Sequence, residues 1–203
     1  LTGEEGTPAL LHLSREEINA LPLICYEGTV RVVDAPALLE NAIEVLRMEE
    51  ILGFDTETRP CFRKGASNPA SILQLAGSRA VYLFQLQRVG GVGALAGLLE
   101  DPRIVKAGVS VARDVKELQA LSPFEPARFV DLAVLSTRAG IKNNGLRGLA
   151  ACLMGGRISK SAKTSDWSRE RLSESQVLYA ATDAWVSREI YLRLIEIRTR
   201  SRT

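Results

Sequence analysis

Acidic residues at three places along the chain stand out by their setting. Asp55 and Glu57 flank Thr56 at the end of an apolar run, Ile51-Leu52-Gly53-Phe54. Alternate residues of a strand share a face, so extended backbone through Glu57 aims both carboxylates the same way. A surface turn with two solvated acids would carry the same tripeptide. Asp183 lies four residues after Tyr179, and such a pair stacks on one helical face, phenol against carboxylate. Its neighbours Ala180, Ala181 and Ala184 are small enough for close packing, where an acid needs a partner. An ordinary helix with a half-buried tyrosine and a solvent-facing acid is the plainer alternative. Asp114 opens a helix, a place the macrodipole favours for any acid. Taken together, the three pieces say more. Carboxylates gathered without a compensating cation repel and protonate. Divalent ions relieve that repulsion, and oxygen-only ligands suit Mg²⁺ or Mn²⁺. Two such ions roughly 4 Å apart make a clamp for in-line attack of water on a phosphodiester.

Other chemistries are poorly supplied. The 203 residues include one histidine, His12, near the N-terminus, so histidine bases and histidine metal sites are nearly excluded. Cys25, Cys61 and Cys152 are too few and too far apart for a disulfide scaffold or a CxxC zinc site. They point to a reducing, cytoplasmic setting, nuclear or organellar in a eukaryote. With 46% hydrophobic and 25% charged residues the chain is an ordinary globular one. No apolar run reaches the roughly 18 residues that span a bilayer, so no membrane partner is expected. A net charge of +2 is too mild to name a nucleic-acid partner by itself.

The elements that must position these acids follow from periodicity and punctuation. Residues 1–28 read as an N-terminal extension with a short helix capped by Ser14 and Glu17. Thr29–Val33 is a strand, and Asp34 is expected to cap a helix with Pro36 in its first turn. Ile51–Asp55 reads as a buried central strand, and Ala70–Ala76 with Ala80–Gln85 as a hairpin about Gly77-Ser78-Arg79. Then come Val92–Leu99 (helix), Ile104–Ala107 (strand), Asp114–Leu121 (helix), Phe129–Leu132 (strand), Leu132–Ala139 (helix) and Gly145–Leu153 (helix). Residues 155–171 are a polar, basic loop. Ser173 and Gln176 cap a last long helix. Antiparallel strands first and alternation later predict an α/β fold, with a mixed sheet and helices on both faces.

The segments FDTET (54–58), KAGVSVARD (106–114) and LYAATDA (178–184) resemble, in order and spacing, the three motifs of the DEDD exonuclease superfamily, tyrosine branch. Ser165-Asp166-Trp167-Ser168 ahead of Tyr179 is similar to ribonuclease D and to the exonuclease domain of the Werner syndrome helicase. The resemblance covers roughly residues 28–198 and implies a ribonuclease H-like fold, with a five-stranded mixed sheet between helices. It implies a single exonuclease domain over 29–203, without the helical nucleic-acid-binding domains that follow in ribonuclease D. By that resemblance Asp55, Glu57 and Asp183 bind one metal ion, Asp55 bridges to a second with Asp114 assisting, and Tyr179 orients the attacking water. Many members carry Asn four residues before the second-motif Asp; here Ser110 takes that place beside the 3′ nucleotide.

The implied reaction is 3′→5′ removal of nucleoside 5′-monophosphates from single-stranded RNA or DNA with a free 3′ end. A catalytically silent nucleic-acid-binding module on the same fold is the alternative. For the substrate, Thr58 is a candidate bond to the terminal sugar or phosphate, and Arg59 and Arg63 to the cleft wall. Loop 157–171 carries Arg157, Lys160, Lys163, Arg169 and Arg171 against Asp166 and Glu170, a surplus suited to phosphates. Lys160 is singled out there. Trp167 either stacks on a base or packs the loop onto the core. The basic C-terminal stretch 188–202 reads equally as a phosphate patch and as a solvated helix end.

Overall fold

The architecture follows from one sheet whose strands are apolar on both faces and need cover on both. In the computed structural model, which describes residues 11–60 and 68–200, the order is α1 (Arg15–Ala20), β1 (Thr29–Val33), α2 (Pro36–Arg47), β2 (Ile51–Thr58), β3 (Ala70–Ala76), β4 (Ala80–Gln85), α3 (Ala96–Leu99), β5 (Val105–Gly108), α4 (Val111–Leu121), β6 (Phe129–Asp131), α5 (Leu132–Arg138), α6 (Leu146–Met154) and α7 (Glu174–Arg200). The sheet runs β1-β4-β3-β2-β5-β6. Only β3 is antiparallel to its neighbours; β1–β4, β2–β5 and β5–β6 pair in parallel.

The sheet therefore has six strands, not the five that the resemblance implied. The additional edge strand is β1, which lies beside β4 in register from Thr29 against Ala80 to Val33 against Phe84. Val30 and Val32 are half-buried and Val33 buried, with Thr29 exposed, as β-branched side chains suit a pleated surface.

Strand alternation sorts the core into two layers. Leu52, Phe54, Leu73, Leu75, Tyr82 and Phe84 face α2, α3 and α4. Ile72, Ala76, Val81 and Leu83 face α7, meeting Ala180, Ala181 and Ala184. A further cluster joins β5 to α5, α6 and α7 through Val105, Ala107, Leu149, Val186 and Ile190.

Local signals set most helix starts. Ser14 and Glu17 form a reciprocal capping box on α1. Ser173 and Gln176 do the same ahead of α7, at 3.0 and 3.3 Å. Asp34 does not cap α2: Ala35 holds the cap position and Pro36 opens the helix, where its fixed φ and missing N–H cost nothing. The helix α4 begins three residues before Asp114, so this acid sits in its first turn rather than at its start.

The segment ahead of β1 is tied across the second half of the chain. Leu13 exchanges two 2.9 Å hydrogen bonds with the Asn143 amide, and Arg157 Nε donates to the Leu21 carbonyl at 3.0 Å. Cys25 and Cys152 are free thiols; Cys61 lies outside the described residues. Among the described residues no helix is long and apolar enough to cross a membrane.

Candidate active site

The extended backbone of β2 persists to Thr58, so Asp55 and Glu57 share the face that looks toward α7. A register shift follows directly after Glu57, beyond which Thr58 pairs with Ala70; such a bulge bends the strand locally, here at the mouth of the site. From the other side, α7 delivers Tyr179 and Asp183. Gly53 permits this approach, because a Cβ there would overlap the Ala184 carbonyl oxygen. As a result, ligand oxygens of Asp55, Glu57 and Asp183 lie within 4.8 Å of one another.

Burial and mutual repulsion both act on these acids. Glu57 is pushed up to about 9 by burial first, then by the charges of Asp55 and Asp183. Asp55 is raised well above the ordinary carboxylate range, again by burial and then by Asp183 and Asp114. Burial raises Asp183 to about 7, against the opposing effects of a hydrogen bond from the Tyr179 hydroxyl and the charge of Lys163. Burial and the surrounding carboxylates keep the Tyr179 phenol firmly protonated.

The arrangement fits a hard divalent cation. All donors are oxygen, and Asp183 Oδ1 is buried without a hydrogen-bond partner. A buried, unpartnered carboxylate oxygen is costly unless a cation meets it. Asp114 stands apart from the three: its carboxylate accepts a 3.0 Å hydrogen bond from the Thr56 hydroxyl, on the α4 side of β2. Burial raises it to about 6, and its charge is still felt at Asp55.

Asp55, Glu57 and Asp183 open into a cleft of about 1130 Å³. One wall is the end of β2 with Thr58 and Pro60; another is loop 158–164 with Lys160 and Lys163; a third comes from Lys142 to Gly148 and from His12 to Ile18. Thr58 and Lys160 thus both line the cleft. Arg59 is exposed and 3.9 Å from Asp166, joining the end of β2 to the basic loop. Ser110 is exposed, and among the described residues it is not part of the cleft lining. Arg63 lies outside the described residues. Trp167 is fully buried against Tyr179, ring centroids 6.0 Å apart. It offers no face to a base, so packing is its role in the fold. On α7, Arg188 is likewise structural, with Nε donating to the Ile51 carbonyl at 3.2 Å.

Several lining residues escape a motif search. Lys163 acts electrostatically on Asp55, Glu57 and Asp183 alike, yet in sequence it is one cation among five in the loop. Asn143, Arg147, His12 and Arg15 reach the cleft only through the pairing of the N-terminal segment with the start of α6. The run Lys142-Asn143-Asn144-Gly145 ahead of a helix was the available signal.

Residues 30–197 match the family model described as 3′-5′ exonuclease. The chain is 34% identical over 161 residues to a ribonuclease D of Gluconacetobacter diazotrophicus, covering 78% of this chain and 40% of that protein. It is 30% identical over 184 residues to the mouse bifunctional 3′-5′ exonuclease/ATP-dependent helicase WRN, covering 86% of this chain and 13% of that protein. The chain thus spans less than half the length of either relative. Among solved structures, Escherichia coli RNase D superposes with a TM-score of 0.76 at 22% identity, over 85% of this chain and 46% of that one. The Aedes aegypti Nibbler EXO domain superposes with a TM-score of 0.78 at 23% identity, over 89% and 94%. These share the α/β, ribonuclease H-like exonuclease fold.

Proposed function

Because this chain belongs to the 3′-5′ exonuclease family, we propose that its cleft removes nucleoside 5′-monophosphates one at a time from a single-stranded 3′ end by a two-metal mechanism. The observation that carries the reading is the convergence of Asp55, Glu57 and Asp183 within 4.8 Å. The unpartnered buried oxygen of Asp183 adds to it.

In this reading Asp55, Glu57 and Asp183 hold one Mg²⁺ or Mn²⁺ ion, and Asp55 with Asp114 holds the second. When bound, such ions activate water and stabilise charge on the attacking and leaving oxygens. Tyr179, four residues before Asp183, supports reading the chain as a tyrosine-branch member of the family. Its phenol keeps its proton and orients the nucleophilic water, a contribution from position rather than basicity. Thr58 bonds the terminal nucleotide. Lys160 and Lys163 meet backbone phosphates, supported by their places in the cleft wall.

The test is digestion of matched single-stranded RNA and DNA labelled at the 5′ end, with Mn²⁺, by wild type and Asp55→Asn. A ladder shortening from the 3′ end, abolished in the variant, is expected. Equal inertness of both proteins would favour a silent binding module; equal activity would point to a contaminating nuclease.

A further inference from the structure

Gln74 is fully buried, and among the described residues neither its Oε1 nor its Nε2 has a hydrogen-bond partner. A buried amide with both atoms unmatched costs several kcal/mol by transfer measures. Its surroundings suggest what offsets that cost. In the antiparallel β2–β3 pairing Gln74 stands directly opposite Asp55, as Glu57 stands opposite Ile72 and Gly53 opposite Ala76. Directly opposed side chains on one face have Cβ atoms about 5 Å apart. This face is the one covered by α7, where Ile72 and Ala76 meet Ala180, Ala181 and Ala184. Among the described residues, Asp55 takes a 2.9 Å bond from its neighbouring Thr56 amide at Oδ1.

We propose that Gln74 is a positioning residue for the metal site: its amide Nε2 donates to the Asp55 carboxylate through one ordered water and fixes the rotamer that coordination requires. This rests on the metal-site reading above. Partners behind ligating side chains typically change metal affinity or activity 10–100-fold when removed. The rival explanation is structural, a polar contact inside the layer with Trp167 Nε1, which is also unpartnered.

The two explanations separate by calorimetric titration with Mn²⁺ alone, set beside thermal melts. Gln74→Met keeps the volume and removes the amide. If Gln74 positions Asp55, Mn²⁺ affinity falls at least tenfold while the metal-free melting temperature holds or rises, because an unmatched amide has been replaced by an apolar group. Gln74→Leu serves as a second variant if Met packs poorly, and Gln74→Glu should not restore affinity, since it adds a like charge. Unchanged Mn²⁺ affinity in a folded variant would overturn the inference and leave the metal site standing. Failure of the wild type to bind Mn²⁺ would overturn the metal site and this inference with it.

Discussion

Gly53 on β2 and Ala184 on α7 touch backbone to backbone: a Cβ at residue 53 would overlap the Ala184 carbonyl oxygen and fall 2.8 Å from the Arg188 amide nitrogen. Two residues further along the strand is Asp55, and one residue back along the helix is Asp183. The closest approach of strand and helix thus sets the spacing of two site carboxylates.

Gly53→Ala should therefore cost more than its one methyl suggests. Overpacking typically costs about 1–3 kcal/mol, and here the strain falls on helix backbone rather than a movable side chain. The expected result is a lower melting temperature and at least a tenfold loss of nuclease activity. Normal activity in a folded variant would show that the spacing is not set there.

Tyr179→Phe should lower kcat by about 10²-fold, the scale of lost positioning, while Mn²⁺ affinity stays within a few-fold of wild type. Burial of the tyrosine ring against Trp167 is retained in the variant. A large affinity loss by calorimetry would instead make the phenol part of the metal-holding set.

The acids give a pH dependence with a definite sign. Glu57 stands near 9, Asp183 near 7 and Asp114 near 6 in the folded, metal-free protein, all above their ordinary values. An acid raised in this way contributes stability that is full below its unfolded pKa and is lost as pH rises through the folded one. Metal-free stability at this site should fall between about pH 4 and 9. A divalent ion holds the ligands ionised, so it must displace protons at low pH. The rise in melting temperature on adding Mg²⁺ should accordingly be small at pH 5.5 and larger at pH 8.5. An increment independent of pH would contradict the assigned ligands.

Ser110 has φ 61° and ψ 29° at the head of α4, a left-handed conformation that Asn and Gly adopt more readily. It is exposed, so a larger polar side chain there meets solvent. Ser110→Asn should stabilise the protein by about 0.5–1 kcal/mol, read as a shift in the denaturation midpoint. No shift would mean the helix start is held by other contacts.

Much of the fold was legible because the signals were local. The hairpin partners β3 and β4 fall on the expected residues, since two apolar runs flank a tight turn closed by Gly77 N–H to the Ala80 carbonyl at 3.0 Å. The alternation of Asp55 and Glu57 needed only that the strand continue, and it does to Thr58. What escaped depends on partners far away in the chain. Asp34 has the right chemistry for a cap, but the chain turns one residue later at Ala35. The cleft wall from His12 to Ile18 exists because Leu13 pairs with Asn143, 130 positions away. Gln74 looks like any polar residue in a strand until its register against Asp55 is known. Trp167 could be read either way from sequence, and its complete burial decides for packing.

The central claim, that Asp55, Glu57 and Asp183 seat a catalytic cation, is tested most directly by anomalous diffraction from crystals soaked in Mn²⁺. A strong peak is expected within coordinating distance of all three carboxylates, with a second between Asp55 and Asp114. Crystals that diffract well and show no manganese among these side chains would contradict it.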